Sequence, residues 1–301
     1  MASPKVSVEV GGRTLQLSNL DKVLYPHVGF TKAQVIDYYA RIAPVMLAHI
    51  SDRGLTLRRY PDGVDGPSFF EKRCASHRPT WLRTSIGPGD RGGPIHYCRL
   101  TEAASLTWTA NLAALELHAP MARCEDIESP TMLVFDLDPG PPATIVECAS
   151  VALSLREVLG AVGLESFGKT SGSKGMQVYV PLNLPHTHDH ASSFALAVGQ
   201  LLARQRPNDV LVNMSRAERT GKVFVDWSQN SRHKTTIAVY SLRAKSTPTV
   251  STPVTWNEIA ECAAGADLSF LSDEVLERVQ EFGDLFAPTL RLEQQLPHAS
   301  S

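Results

Sequence analysis

A chain of 301 residues with 43% hydrophobic and 20% charged residues can bury one large core or two smaller ones, which excludes a disordered protein. A formal net charge of −2 excludes binding of nucleic acid through bulk positive charge, so any such binding must use local patches. The sequence shows neither a signal-peptide pattern nor a long apolar run, so we expect a cytoplasmic protein that does not contact a membrane.

The predicted elements begin with a helix over residues 31–50, where Thr31 is a possible N-cap and Pro44 is expected to bend the helix. Apolar periodicity predicts a second helix over 101–118 and a third from about Thr144 to Gly160. Short β-branched or aromatic segments bounded by turn residues predict strands at 131–138, 176–181, 211–213 and 222–227.

The alternation of helices and strands predicts an α+β (mixed α/β) fold. We expect one domain over residues 1–301. It would consist of an N-terminal α/β unit to about 120, a catalytic core over about 121–250 and a C-terminal helical tail over about 251–301, with a helix after Ser272.

The five cysteines are scattered through the chain and include no Cys-x-x-Cys pair. An odd number without close pairs is not typical of a disulfide framework or of a structural zinc site. We therefore expect reduced thiols, several of them in the core, at Cys74, Cys98, Cys124, Cys148 and Cys262.

One basic segment stands out between Arg53 and Arg83, where cations outnumber acids and aromatic residues are interleaved. Phosphate attraction beside stacking surfaces is the pattern of a groove for single-stranded nucleic acid. Solvated loop charges around aromatic residues of the core are the alternative reading of the same segment.

Asp136 and Asp138 lie two residues apart in the predicted strand LVFDLDPG. Side chains alternate between the faces of a strand, so the two carboxylates share one face and would repel each other. Magnesium and manganese ions neutralise such pairs because hard cations prefer oxygen ligands. Asp226 is a third acid in an apolar strand, and three carboxylates can hold the two metal ions of nucleotidyl transfer. An acidic surface strand is the alternative for Asp136 and Asp138 alone.

The segment TSGSKG at 170–175 supplies hydroxyl groups, close backbone approach at glycine and the charge of Lys174. These groups suit a triphosphate, and Lys234 and Arg243 add positive charge. Each of them alone is also compatible with a turn or with a solvated cation.

Six motifs in this order resemble the polymerase domain of bacterial DNA ligase D, over about residues 17–286: LSNLDKVLYP, GPSFFEK, LVFDLDPG, TSGSKG, GKVFVDWSQN and YSLR. That family belongs to the archaeo-eukaryotic primase superfamily and serves non-homologous end joining. The resemblance implies a primase-polymerase core with RRM-like antiparallel or mixed sheets flanked by helices. It also implies a template-directed polymerase that fills gaps and extends ends in double-strand-break repair, with two Mn²⁺ or Mg²⁺ ions and a preference for ribonucleotides.

The resemblance implies roles for single residues. The catalytic and metal-binding carboxylates would be Asp136, Asp138 and Asp226. Candidates for binding the incoming nucleotide are Arg58, Phe70, His118, Ser171, Lys174, Gln229, Lys234 and Arg243. Candidates for binding a 5′-phosphate and the template are Asn19, Lys22, Lys32, Arg59, Phe69 and Phe70. The implied partners are DNA ends and gapped DNA with a 5′-phosphate, NTP or dNTP, Ku and a DNA ligase, at the bacterial nucleoid.

One position departs from the family pattern. The family usually reads Ser-Gly-Ser-Lys-Gly-Leu-His, whereas this chain reads SGSKGMQ from Ser171 to Gln177. Glutamine donates hydrogen bonds but carries neither a charge nor a transferable proton. We therefore expect Gln177 to affect triphosphate binding and turnover, and to leave the metal site unaffected.

Two patterns suggest other enzymes. Residues 163–170, GLESFGKT, satisfy the Walker A pattern of ATPases, but a helix is predicted before Gly163 and a strand after Gly175, so Gly163 is better interpreted as the end of a helix. His186, His188 and His190 resemble a metallohydrolase cluster but are one residue short of its spacing, which favours a surface loop with neutral histidines.

Two alternatives lie closer to the favoured function. A primase would start chains de novo, and a binding module would bridge DNA ends without catalysis, although the three aspartates favour catalysis. A Lys-x-Asp-Gly adenylation motif is absent from the sequence, so we expect no ligase activity in this chain.

Overall fold

The computed structural model describes residues 5–89 and 93–297. The helices in these residues are α1 (Lys32–Ile50), α2 (Ala103–Asn111), α3 (Ile145–Ala161), α4 (His188–Gln205), α5 (Trp256–Ala263) and α6 (Ser272–Phe282), with short 3-10 helices at Arg216–Glu218, Trp227–Asn230 and Ala287–Leu290. The strands are β1 (Lys5–Val10), β2 (Arg13–Ser18), β3 (Val23–Tyr25), β4 (Phe30–Thr31), β5 (Thr56–Arg59), β6 (Phe69–Glu71), β7 (Thr84–Pro88), β8 (Pro94–Cys98), β9 (Ala114–Ala119), β10 (Met132–Pro139), β11 (Phe167–Thr170), β12 (Met176–Pro181), β13 (Val210–Leu211), β14 (Val223–Asp226), β15 (Thr236–Ile237) and β16 (Pro253–Val254). The predicted α+β fold is confirmed.

The described residues form two compact units. The first takes the chain up to Pro120 together with 237–250 and 270–283, and the second takes 121–236, 251–269 and the residues from Asp284 onward. The segment expected as a C-terminal helical tail is therefore shared, because α5 belongs to the second unit and α6 to the first.

The first unit is built around a four-stranded sheet in the order β15-β9-β5-β6. The long helix α1 begins as predicted at Thr31, whose hydroxyl accepts from Gln34 N while the Gln34 side chain accepts from Thr31 N. This capping box satisfies two main-chain donors that the first helical turn leaves unpaired. Pro44 lies inside the helix, and the apolar face of α1 is buried, with Val35, Ile42 and Met46 fully covered.

The second unit is built around a six-stranded sheet in the order β13-β14-β10-β12-β11-β16. The central strand β10 pairs antiparallel with β12 on one side and with β14 on the other, whereas β13 and β14 run parallel. Leu133, Val134 and Phe135 of β10 are fully buried. The apolar half of this strand therefore anchors it in the core, and its carboxyl end carries the two aspartates.

A predicted helix was partly wrong. Helix α2 ends at Asn111, Ala113 adopts a left-handed conformation with φ 55°, and residues 114–119 form strand β9. Strand β9 is almost wholly buried between β15 and β5, with Leu115 and Leu117 on one face and Glu116 and His118 on the other. The alternation spans only six residues, and Leu115 also continues the helical spacing of Leu106 and Leu112, so the strand was read as part of the preceding helix.

The expectation of reduced thiols was wrong for two cysteines. Cys74 and Cys98 form a disulfide, with their Cα atoms 4.8 Å apart. The main-chain N–H of Cys74 donates to the carbonyl of His96 at 2.7 Å, which brings together segments 24 residues apart in the chain. Spacing along the sequence does not reveal such a contact. Cys148 and Cys262 are buried thiols, as expected for core residues.

The two patterns that suggested other enzymes have structural roles. Gly163 follows α3 with φ 77°, as expected for the residue after a helix, and Lys169 lies in strand β11. His188 is not in a surface loop, since it is buried at the start of α4 with Nδ1 2.9 Å from the carbonyl of Asn230. His186 is also buried. None of the helices in the described residues is long and apolar enough to cross a membrane.

A buried amide fixes the strand that carries the aspartates. Asn230 Oδ1 accepts from Val134 N at 2.8 Å, and its Nδ2 donates to Val134 O at 2.8 Å and to Trp227 O at 2.9 Å. Asn230 is 1% exposed. It thus ties the 3-10 helix after β14 to the main chain of β10.

We expect Asn230→Ala to lower the free energy of unfolding by roughly 2 kcal/mol or more, because two buried main-chain groups of Val134 lose their partner. Urea denaturation measures the change. Asn213→Ala removes an exposed amide that bonds to Glu218, and it should change stability by less than about 0.5 kcal/mol. Equal effects of the two substitutions would contradict the role of Asn230.

Candidate active site

Three carboxylates come together in the second unit. Asp136 and Asp138 lie on β10, and Asp226 ends β14 as the direct register partner of Asp136. Asp138 is exposed, while Asp136 and Asp226 are half-buried. The structure therefore brings together the three acids that the sequence singled out, on neighbouring strands.

Two glycines let other segments approach the end of β10. A Cβ atom on Gly175 would overlap the carbonyl oxygen of Leu137, and one on Gly140 would overlap the carbonyl oxygen of Arg219. Only glycine fits at either position without a shift of the main chain. The loop at 170–175 can thus lie against β10 at the residue between the two aspartates.

The same loop is organised by Ser171. Its hydroxyl accepts from Ser173 N at 3.2 Å and from Gly175 N at 3.3 Å, and its own N–H donates to Gly175 O at 2.9 Å. Lys174 is exposed at the tip of this turn. Of the predicted nucleotide-binding residues in this loop, Ser171 shapes the turn and Lys174 presents its charge to solvent.

Asp226 is held by the residues that follow it. Its carboxylate accepts from the N–H of Ser228 at 3.0 Å, from the Ser228 hydroxyl at 2.6 Å and from Gln229 Nε2 at 2.9 Å. These bonds cap the 3-10 helix that starts at Trp227. Gln229 therefore lies against a carboxylate, and Lys234 is exposed in the loop beyond it.

The electrostatics of Asp136 reflect its crowded position. Burial is the largest cause and raises the pKa of its carboxyl. The charges of Asp138 and of Asp226 raise this pKa further, to about 7. A hydrogen bond with the Gln177 side chain and the charge of Lys169 act in the opposite direction. Gln177 thus lies beside the carboxylate site as the register partner of Asp136. The expectation that it would leave the metal site unaffected stays a prediction.

The donor chemistry of the three carboxylates fits a divalent cation, because hard oxygen ligands crowd together with charges that repel. In the described part of the chain, however, no group of three or more His, Cys, Asp or Glu side chains is already arranged to hold a metal. Asp226 is hydrogen-bonded to Ser228 and Gln229 in this arrangement. The carboxylates are neighbours rather than a preformed cage.

A second cluster lies in the first unit around Glu116 of β9, which is 1% exposed. Its Oε1 accepts from Arg243 Nε and from Ala244 N, both at 3.2 Å. Its Oε2 lies 3.1 Å from His118 Nε2 and 3.6 Å from Arg58 Nη1. One buried carboxylate thus holds three of the predicted nucleotide-binding side chains.

The charges of this cluster determine its ionisation. Burial, the strongest influence, raises the pKa of Glu116, but the hydrogen bond with His118 and the charge of Arg243 outweigh it and lower this pKa to about 2. Burial lowers the pKa of His118, and Glu116 opposes that change. Glu116 was not among the predicted site residues. Its position two residues before His118 would have revealed it had residues 114–119 been recognised as a strand.

Exposed aromatic rings lie beside these cations. Phe70 is 57% and Phe69 45% exposed, as expected for surfaces that stack on bases. The guanidinium of Arg58 lies 5.1 Å from the centre of the Phe70 ring, and that of Arg59 lies 5.2 Å from the Phe69 ring. The Phe70 ring also meets His118 edge to face at 5.6 Å.

Basic residues gather at the start of α1. Lys32 is 5% exposed, and its Nζ donates to the carbonyl of Ser18 at 2.6 Å. Burial, followed by the charges of Lys22 and Arg59, lowers the pKa of Lys32 to about 8. Lys22 Nζ pairs with Asp62 at 2.9 Å, and Asn19 is exposed with φ 54°. The structure brings these predicted phosphate-binding residues to one helix end.

Comparison with known proteins identifies relatives that match most of this chain. The family model for "LigD, primase-polymerase domain" matches residues 31–286. The multifunctional non-homologous end joining protein LigD of Mycolicibacterium smegmatis is 46% identical over 278 residues, which cover 91% of this chain and 36% of that protein. LigD of Pseudomonas aeruginosa is 32% identical over 248 residues, which cover 81% of this chain and 29% of that protein. The chain therefore spans about a third of the length of these relatives.

One solved structure supports the same relationship at the level of the fold. It is the polymerase domain of Mycobacterium tuberculosis Ligase D in complex with DNA, 43% identical to this chain. The TM-score is 0.86, and the match covers 92% of this chain and 98% of that one.

The pKa of Glu116 predicts how stability depends on pH. Its folded-state pKa lies below the ordinary value of 4.5, so its ionised form stabilises the fold above that pH, and the contribution is lost as the pH falls toward about 2. Near pH 6 we expect Glu116→Gln to be less stable than the wild type by about 3 kcal/mol. Urea denaturation at pH 6, 5, 4 and 3 should show this difference shrinking.

The exposed Glu157 provides the control. Glu157→Gln should differ little from the wild type at any of these pH values. A difference for Glu116→Gln that stayed constant across the range would contradict the ionised, charge-paired state of Glu116.

Proposed function

Because this chain belongs to the LigD primase-polymerase domain family, we propose that it is a metal-dependent, template-directed nucleotidyltransferase. In this proposal it fills gaps and extends ends of DNA during double-strand-break repair by end joining. The observation that carries the proposal is the pairing of Asp136 with Asp226 on neighbouring strands, with Asp138 two residues further along β10.

Asp136, Asp138 and Asp226 are the residues that would hold two divalent cations, Mn²⁺ or Mg²⁺. When bound, such ions activate an attacking 3′-hydroxyl and neutralise the triphosphate and the leaving pyrophosphate. The protein's own contribution is orientation. Ser228 and Gln229 hold the carboxylate of Asp226 through three hydrogen bonds, so a ligand oxygen loses little freedom on binding a cation.

Within the second unit, the loop at 170–175 is our candidate for contacts to the triphosphate. Ser171 and Gly175 shape a tight turn, which exposes the ammonium group of Lys174. Lys234 supplies a further exposed cation, and Gln229 acts through Asp226. An exposed lysine on a shaped loop suits a phosphate because it is a compact and mobile charge.

Within the first unit, the cluster around Glu116 is our candidate for contacts to nucleotides. Arg243 and His118 are held by a buried carboxylate, so their remaining donors keep fixed directions toward an anionic ligand. Arg58 stands over the ring of Phe70, whose exposed face is available to a base. Ordered cations beside an exposed ring suit a nucleotide, because the cations attract its phosphates and the ring can stack on its base.

The start of α1 is our candidate for a 5′-phosphate at the far side of a gap. The N-terminus of a helix attracts anions, and Asn19, Lys22, Lys32 and Arg59 gather around this one. Arg59 and Phe69 would contact the template. We also propose a preference for ribonucleotides, Ku and a DNA ligase as partners, and a place at the bacterial nucleoid, because the relatives are end-joining proteins.

We expect Asp226→Asn and Asp136→Asn each to reduce primer extension on gapped DNA with Mn²⁺ by at least about 1,000-fold, because each removes a charged ligand of the reacting centre. Asp209→Asn, on the loop before β13, should leave extension unchanged. A wild-type chain that extends nothing but binds 5′-phosphorylated gaps would be an end-bridging module. Products made without a primer would identify a primase.

The pKa of Lys32 predicts that binding depends on pH. Lys32 loses its proton as the pH rises through about 8, so the advantage of 5′-phosphorylated over unphosphorylated gapped DNA should fall between pH 7 and 9. Fluorescence anisotropy with both DNAs measures this ratio. Lys32→Arg should flatten the dependence, because arginine keeps its charge. A ratio that is independent of pH in the wild type would remove Lys32 from the site.

A further inference from the structure

A buried lysine lies beside the carboxylate strands without a role in the function proposed above. Lys169 of β11 is 1% exposed, and its Nζ donates to Gln177 Oε1 and to Ser251 Oγ, each at 2.6 Å. Nζ also lies 5.5 Å from the centre of the Tyr179 ring. An apolar side chain of similar length would fill this space without the cost of burying an ammonium group. The charge of Lys169 is therefore the feature to explain.

Gln177 lies between this lysine and the candidate metal site. On β12 it is the register partner of Lys169 in β11 and of Asp136 in β10. Three neighbouring strands thus carry Lys169, Gln177 and Asp136 level with one another. Gln177 is itself 2% exposed, so its amide groups must find partners within the protein.

The orientation of the Gln177 amide is determined by its neighbours. Oε1 accepts from Lys169 and, at 3.1 Å, from the hydroxyl of Tyr179, which occupies both lone pairs of an amide oxygen. Nε2 is then the end that donates. Because Gln177 and Asp136 are register partners on neighbouring strands, their side chains lie on the same face, and the amide presents this donating end on the face of the carboxylate.

The charge of Lys169 also reaches the carboxylates. Gln177 Oε1 and Ser251 Oγ, which accept from it, are neutral oxygens that stabilise the ammonium group without cancelling its charge. Around Asp136, that charge opposes the combined effect of burial and of the neighbouring carboxylates. The amide of Gln177 and the positive charge of Lys169 therefore both act on the carboxylate oxygens of Asp136.

We propose that Lys169 is a positioning residue for the metal site: acting through Gln177, it orients and supports the carboxylate of Asp136 as a ligand for a divalent cation. The inference rests on the proposed function, since it takes Asp136 to be a metal ligand. Lys169 is the lysine of the Walker-like segment at 163–170, and in this proposal it supports a carboxylate instead of binding a phosphate. It also gives Gln177 a role in holding the metal ligand.

The test measures Mn²⁺ affinity of the whole chain, without nucleotide or DNA, by electron paramagnetic resonance of unbound Mn²⁺. Lys169→Met and Gln177→Met should each weaken Mn²⁺ binding about 10-fold, the usual scale for residues that orient a metal ligand. Because Lys169 acts through Gln177, the double variant should be no weaker than Gln177→Met alone. Effects that multiply in the double variant would show independent action and overturn the proposal.

Arg206→Met is the matched control. It removes a cation of the second unit that is bonded to a carbonyl and a hydroxyl of α3, the carbonyl of Ser150 and Ser154 Oγ, each at 3.0 Å. We expect it to lower the thermal unfolding temperature and to leave Mn²⁺ affinity unchanged. If Lys169→Met is folded and its Mn²⁺ affinity is unchanged or tighter, Lys169 does not position Asp136.

Two further variants keep the outcome decisive. Asp136→Asn should abolish most Mn²⁺ binding, and a wild type that binds no Mn²⁺ would refute the proposed function as well as this inference. If Lys169→Met does not fold, Tyr179→Phe replaces it, since it removes one of the two donors that orient Gln177. We expect Tyr179→Phe to weaken Mn²⁺ binding about threefold, and an unchanged affinity would overturn the inference.

Discussion

The antiparallel pairing of β10 with both β12 and β14 is the constraint on which the candidate active site depends. It sets Asp136 level with Asp226 on one side and with Gln177 on the other. Crowded carboxylates at the end of an otherwise apolar strand repel each other, and burial adds to the cost of their charge. Such an arrangement favours either protonation or a cation, which is the property that a divalent metal site requires.

Each of the two units contains a buried group that orients side chains of the opposite charge. In the first unit the carboxylate of Glu116 holds Arg243 and His118 through direct hydrogen bonds. In the second unit the ammonium group of Lys169 acts on Asp136 through the neutral amide of Gln177. A direct ion pair would compete with a bound metal for the carboxylate, whereas an amide between the charges orients the carboxylate and leaves oxygen lone pairs for a cation.

Much of the site could be predicted from the sequence, because local signals carried it. The spacing of Asp136 and Asp138 on a strand and the apolar surroundings of Asp226 indicated that these acids were unusual before any contact was known. The predictions of an N-cap at Thr31 and of a helix end at Gly163 were correct for the same reason, since both features depend on neighbours in the chain. The single-residue roles at the nucleotide and at DNA stay predictions.

The sequence by itself therefore determined the family, the α+β fold and the three aspartates, because motif order, residue spacing and apolar patterning are local properties. Only the tertiary structure decided that residues 114–119 form a strand, that Cys74 meets Cys98, and that Glu116 organises its cations. It alone also placed the buried Lys169 level with Gln177 and Asp136. The physical reason is that strand pairing and burial join residues that are distant in the chain, and the sequence does not state the register between strands.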